Sequence, residues 1–183
     1  MKRALAILVV ASCGTTDAPP IQSTFDAGTE GWSLQGFNTD AMDYSVSTVT
    51  GMVIWDSTDA AAQRHDLIGI TDYFQAPAAF HGDLSAFATL SYKLREANAD
   101  SPFDAPLVLL EGGGAFWRFD RAQTASTDWF TISLPLDGSS GWTRISGAGP
   151  FSDSLAAVTA LWIRGEFSNT IEDSFLDDVT VAD

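Results

Sequence analysis

From Thr24 to its end the chain is a succession of short runs of Val, Ile, Thr and aromatic residues, cut by clusters of Gly, Pro, Asp and Ser. That punctuation limits the possible folds more than any other feature. TLSYKLR sets Leu90, Tyr92 and Leu94 against Ser91, Lys93 and Arg95, the period-two pattern of a strand with one buried face. DYSVSTVTG alternates around Tyr44 and Val46 and shifts phase at Val49. GMVIW, APLVLLEGGG, AFWRFD, WFTISLPLD, VTALWIRGEF and FLDDVTVAD continue the series. About nine or ten such runs predict an all-β, antiparallel sandwich. Only SDSLAAVTAL, residues 152–161, has helical spacing, with Ser152 as cap and Leu155 and Val158 three apart on the inner face.

The chain begins MKRALAILVVASCGTTDAPP. Lys2 and Arg3 precede an apolar run, Ala4 to Ala11, well short of the about 20 residues a bilayer span needs. This is the layout of a secretory signal. VASC, residues 10–13, resembles the bacterial lipobox. The resemblance implies cleavage before Cys13 and lipidation of that cysteine, with several acyl chains holding the protein on a membrane. Residues 1–12 then read as signal peptide, 13–23 as a small, polar tether and 24–183 as one domain. Gly14 follows the cysteine, which by resemblance to sorting rules implies an outer-membrane or cell-surface lipoprotein exported across the inner membrane. Cys13 is the sole cysteine, so no disulfide forms within the domain. The net charge of −15 becomes more negative once Lys2 and Arg3 are removed. Such a surface repels nucleic acid and anionic headgroups, leaving the anchor as the membrane contact.

YFQAPAAFHGDLSAF, residues 73–87, followed by ATLSYKL, resembles the laminin B domain, also called laminin domain IV. LVLLEGGG, TDWFTISLPLD, a GW pair at Gly141 and Trp142, VTALWIRGEF and LDDVTV follow in the same order as in that family. The resemblance spans about residues 25–182 and implies a jelly-roll β-sandwich of the galactose-binding and carbohydrate-binding-module type. It also implies an extracellular, non-catalytic role. His81 stands where the family motif has Leu, which makes it a departure rather than a carrier of family function. Gly82 and Asp83 read as a turn, the glycine taking unusual backbone angles and the carboxylate bonding nearby amides. His65, in QRHDLIG, reads as part of a solvated loop. The sequence lacks G-x-S-x-G, a phosphate loop, H-E-x-x-H and C-x-x-C, and no catalytic residue is assigned. The glycines of EGGGAFW read as a hairpin turn.

Two constellations remain as candidate sites. FDAGTEGW and FLDDVTV resemble the opening and closing strands of jelly-roll carbohydrate-binding modules, where a structural calcium often lies between them. The resemblance implies one such ion held by Asp26, Asp177 and Asp178. Alternation places Asp177 in phase with Phe175, Val179 and Val181 on the inner face, where a carboxylate needs a partner or a cation. The second constellation is FWRF, with Phe116 and Arg118 on one face and Trp117 and Phe119 on the other. One face must point outward, and these four residues form the ligand-binding candidate. Trp32, Trp129 and Trp162 are expected in the core, while Trp55, Trp117 and Trp142 flank turns. Arg164 and Glu166 share one side of a strand and are expected to pair with a neighbouring strand, an exposed contact contributing about 0–1 kcal/mol. The expected function is cell-surface or extracellular binding or adhesion, with a glycan or extracellular protein as ligand. The alternative is a purely structural envelope or matrix lipoprotein. A glycan-active enzyme would need an acid/base pair, and no pair stands out.

Overall fold

The computed structural model describes residues 18–39, 44–47, 54–56, 60–65, 70–97, 104–121, 126–138, 141–168 and 172–183. Cys13, the leader and the first part of the expected tether lie outside them, as do the side chains of Trp55 and His65. In chain order the strands are β1 (Ile21–Ser23), β2 (Ser33–Asn38), β3 (Ser45–Ser47), β4 (Ile54–Asp56), β5 (Ala60–His65), β6 (Thr71–Gln75) and β7 (Thr89–Glu96). They continue with β8 (Val108–Gly112), β9 (Ala115–Phe119), β10 (Phe130–Pro135), β11 (Trp142–Gly147), β12 (Val158–Arg164) and β13 (Glu172–Ala182). Among the described residues one sheet runs β10-β7-β13-β5-β4, with β1 also on β13, and the other runs β11-β9-β8-β12-β6-β2-β3. The antiparallel β-sandwich is as the short alternating runs predict.

β7 alternates strictly, with Leu90, Tyr92 and Leu94 buried and Ser91, Lys93 and Arg95 half-exposed. Its buried side chains, with Leu176, Val179 and Val181 of β13, meet Val108 and Leu110 of β8, Trp117 and Phe119 of β9, and Leu161 and Ile163 of β12. This is the main core. EGGG is the predicted hairpin: Gly113 and Gly114 have φ of 56° and 75° between β8 and β9. Those positive values at both central positions are what a two-residue hairpin turn requires.

Four expectations change. β1 pairs Ile21 with Val181 and Ser23 with Val179, so the tether enters the sheet at Ile21 rather than ending at residue 23. β13 carries a bulge: Asp177 pairs with Lys93 and Thr180 with Ser91, leaving an extra residue, and Asp178 has φ of 48°. A bulge shifts the side-chain phase. Leu176, Val179 and Val181 therefore face the core, while Phe175, Asp177 and Asp178 stay only half-buried. The helix α1 (Phe151–Leu155) starts after Pro150 with no side-chain cap, and Val158 opens β12 instead of closing the helix. Trp129, expected in the core, is 40% exposed. It precedes β10, where the guanidinium of Arg95 lies over its ring at 5.1 Å and over Phe175 at 4.2 Å.

The seven-stranded sheet is buried on both faces in part. Phe37, Tyr44, Tyr73, Leu109, Ala160 and Trp162 form a second cluster, joined by Phe116 and Ile145. Trp162 is therefore buried, though not in the layer between the sheets. β12 reads as a nearly continuous apolar run because both its faces are covered.

Candidate functional site on the seven-stranded sheet

FWRF forms most of β9, and its two faces have opposite fates. Trp117 and Phe119 are 8% and 6% exposed and belong to the main core. Trp117 donates its indole N–H to Ser154 Oγ at 2.9 Å and packs edge-on against Phe151. The expectation that these two rings form a ligand platform is corrected: they close the sandwich. Phe116 and Arg118 take the outer face. Phe116 packs against Phe37, Tyr44 and Trp162, leaving Arg118 as the polar member of that face.

Arg118 lines a cavity of about 340 Å³ with Tyr44, Asp104, Asp120 and Arg121. Ligand pockets occupy about 300–1,000 Å³. Arg118 Nη1 donates to Tyr44 Oη at 2.7 Å, and its Nε lies 2.9 Å from Asp120 Oδ2. The Tyr44 hydroxyl and the Asp120 charge hold the Arg118 guanidinium above its ordinary pKa, against partial burial. Partial burial raises the Asp120 carboxyl above its usual value, Arg118 opposes that, and the charge of Asp104 adds to it. Tyr44 has φ of 48°, a left-handed conformation uncommon for a bulky residue. The rim loop 104–106 is pinned from beneath, because Arg164 donates to Ala105 O and Tyr73 donates its hydroxyl to Pro106 O, both at 2.9 Å.

Arg164 is fully buried, not half of an exposed pair. Its Nε donates to Glu166 O at 2.6 Å, its guanidinium lies 4.1 Å from the centre of the Phe167 ring, and Glu166 Oε2 accepts the Asp72 amide at 3.0 Å. Burial lowers the Arg164 pKa, and the charges of Asp104, Glu96 and Glu166 act against that. Ser174 Oγ lies within hydrogen-bond reach of Glu96 Oε2, at 2.7 Å, and of Gly165 O, so this polar group ties β13 of one sheet to the chain just after β12 of the other.

Of the expected metal ligands, Asp26 follows β1, and Asp177 and Asp178 lie on its partner strand β13, but the last two do not face inward. Asp26 Oδ2 accepts from Thr24 at 2.9 Å, and Asp178 is paired with Lys93 at 2.5 Å. Asp177 Oδ1 accepts the Asp178 amide at 2.7 Å. Partial burial raises the Asp177 carboxyl, and Asp26 is near enough for its charge to add to that. Among the described residues no group of three or more His, Cys, Asp or Glu side chains is placed to hold a metal.

The family model of laminin B (Domain IV) matches residues 73–182. The chain belongs to the laminin B family. Laminin subunit gamma-1 of Xenopus tropicalis is 27% identical over 169 residues, covering 88% of this chain and 10% of that protein. The chain thus spans about a tenth of that relative's length. The L4b domain of human laminin alpha-2 superposes with a TM-score of 0.66 at 14% identity, covering 87% of this chain and 95% of that one. A family 11 carbohydrate-binding module from Clostridium thermocellum, in complex with a β-1,3-1,4-mixed-linked tetrasaccharide, gives a TM-score of 0.52 at 12% identity. It covers 89% of this chain and 95% of the module.

The laminin B segment opens with the motif that holds His81. Asp83 Oδ1 accepts both the hydroxyl and the amide of Ser85, at 2.6 and 2.9 Å, which lowers its pKa. Gly82 has φ of 95° and bridges Val158. The turn reading of this motif stands. The laminin B match includes Arg118 and Asp120 but begins after Tyr44. Sequence reasoning missed Tyr44, Asp104 and Asp120 as neighbours of Arg118. Asp120 ends the AFWRFD run and carried a local signal, but the Tyr44 partnership joins residues 74 apart and had none.

Proposed function

We propose that this chain is a non-catalytic extracellular domain that binds a glycan through the outer face of its seven-stranded sheet. The cavity around Arg118 carries the reading, since it sets donors and acceptors beside the Tyr44 ring. Membership of the laminin B family supports an extracellular setting, and a module of similar fold solved with a bound tetrasaccharide supports the ligand class. Lipidation at Cys13, with residence at the outer membrane or cell surface, belongs to the same proposal. On a glycan array, the full chain is expected to give discrete hits that weaken at least about 10-fold on Arg118→Ala, a loss in the range of a charged hydrogen bond. An empty array would end the glycan reading.

A second reading, an adhesive or structural role through a protein contact, is favoured by the exposed Trp129 beside Arg95 and Phe175 on the opposite sheet. One structural calcium near Asp26 and Asp177 is also proposed, supported by the pairing of β1 with β13 and by the charge of Asp26 acting on the Asp177 carboxyl. Asp178 joins only by releasing Lys93. Calcium at about 100 times its dissociation constant would stabilise the fold by about 2.7 kcal/mol. Chelation is then expected to lower the melting temperature of the wild type and to leave Asp177→Ala unchanged. Melting curves indifferent to calcium and chelator would remove the ion.

A further inference from the structure

Three consecutive carbonyls at the rim of the cavity are gripped from inside the domain by two residues of adjacent strands. Arg164 of β12 is the register partner of Tyr73 of β6. Arg164 donates through its guanidinium to Ala105 O and through its backbone amide to Leu107 O, and between them the Tyr73 hydroxyl donates to Pro106 O, each at 2.9 Å. The Leu107 amide donates in turn to Phe119 O at 2.9 Å, one residue before Asp120. Both gripping side chains are fully buried, Tyr73 edge-on against Phe37 and Arg164 over Phe167, and neither lines the cavity. Burial raises the Tyr73 hydroxyl well above the ordinary tyrosine pKa, so it remains a donor through the physiological range. The rim needs such a hold. Asp104 is exposed and lines the cavity with Asp120, and its charge raises the Asp120 carboxyl, so the two carboxylates repel. A loop free to move would relieve that repulsion by swinging outward. The buried Arg164 attracts Asp104 as well as holding the carbonyl that follows it.

We infer that Tyr73 and Arg164 are positioning residues of the ligand site: by fixing the carbonyls of residues 105–107 from beneath, they set where Asp104 stands relative to Arg118 and Asp120. This rests on the glycan reading of the cavity above, which Arg118→Ala tests by itself.

The test is Tyr73→Phe in the full chain, which removes one hydroxyl and keeps the ring, while Arg164 stays intact because its loss threatens the fold. The variant leaves the buried Pro106 carbonyl without its donor. Amide hydrogen exchange is expected to quicken at least about 10-fold at Leu107 and Arg164, whose bonds close the rim, and to stay unchanged along β7 and β10. On the glycan array, the hits of the wild type are expected to weaken about 3–10-fold. Asp104→Ala is expected to weaken them as well, and the double variant no more than Asp104→Ala alone, because Tyr73 acts through Asp104. A core residue without a positioning role would instead give losses that add. Additive losses, hits indifferent to Tyr73→Phe, or exchange quickened equally across the domain would each overturn the inference and leave the glycan reading standing. An empty array would end the glycan reading and let exchange decide the positioning: a local acceleration at Leu107 would sustain it, and an unaltered Leu107 amide would overturn it.

Discussion

His81 was the residue most open to a chemical reading, and its surroundings give it none. Its amide closes the short 3-10 turn onto Ala78 O at 3.1 Å, and its ring Nε2 is buried with no hydrogen-bond partner among the described residues. A buried unpaired nitrogen costs about 1–3 kcal/mol. The neighbouring carboxylate is no help, because Asp83 is exposed and turned to Ser85. His81→Leu removes the unpaired atom and restores the residue of the family motif. Its melting temperature is expected to rise by about 2–4 °C per kcal/mol recovered in a chain of this size. A stability loss, or loss of glycan binding with the fold intact, would show that the imidazole has a task the turn does not account for.

At the scale of elements, the β8–β9 hairpin shows how similar glycines carry different constraints. Gly114 has φ of 75°, and a Cβ there would meet nothing within 4 Å. Gly112 has ordinary backbone angles, but a Cβ would sit 2.3 Å from Ser154 O and 2.9 Å from Ala157 O. These are backbone atoms in and just after α1 and cannot rotate aside. Gly112→Ala is expected to destabilise the fold by about 2–3 kcal/mol, as overpacking does. Gly114→Asn, which tolerates the left-handed region, is expected to cost under about 1 kcal/mol. Urea midpoints with unchanged slopes would establish the contrast. Equal losses at the two positions would mean that turn conformation, not the approach of α1, governs this hairpin. The bulge of β13 belongs to the same scale, because one extra residue moved Asp177 off the core face.

The whole molecule carries a net charge of −15, and the ion pairs described on its surface, Lys93–Asp178 and Arg118–Asp120, are partly exposed. Self-repulsion of that size opposes compactness, whereas exposed pairs contribute little. Raising sodium chloride screens repulsion over about 8–10 Å at physiological strength, and the melting temperature is expected to climb with salt. A fall with salt would mean that attractive pairs outweigh the net charge. The buried Arg164 responds differently: screening does not reach it, and Arg164→Ala leaves its acidic neighbours without their cation. Breaking such a buried arrangement costs about 3–5 kcal/mol, so this variant is expected to unfold well below the wild type at every salt concentration.

What the chain order could determine by itself was local. Strict alternation in TLSYKLR, the glycines of the β8–β9 turn and the Gly82–Asp83 turn depend on neighbouring residues, and all three formed as their residues predict. The ordered motifs also carried the family. The sequence left open which of two alternating faces meets the partner sheet. Period two assigns Trp117 and Phe119 to one side and Phe116 and Arg118 to the other, without saying which side is wet. Only sheet packing put the first pair in the core and brought Tyr44 and Asp120 to Arg118. Arg164 reads as a surface residue by composition, because lone charges are rarely buried, and its burial depends on Ala105 and Glu166 arriving from a distant loop and the next turn. Asp177 escaped the core for a reason no periodicity contains: a bulge is set by pairing with β7, and pairing is a property of the folded sheet.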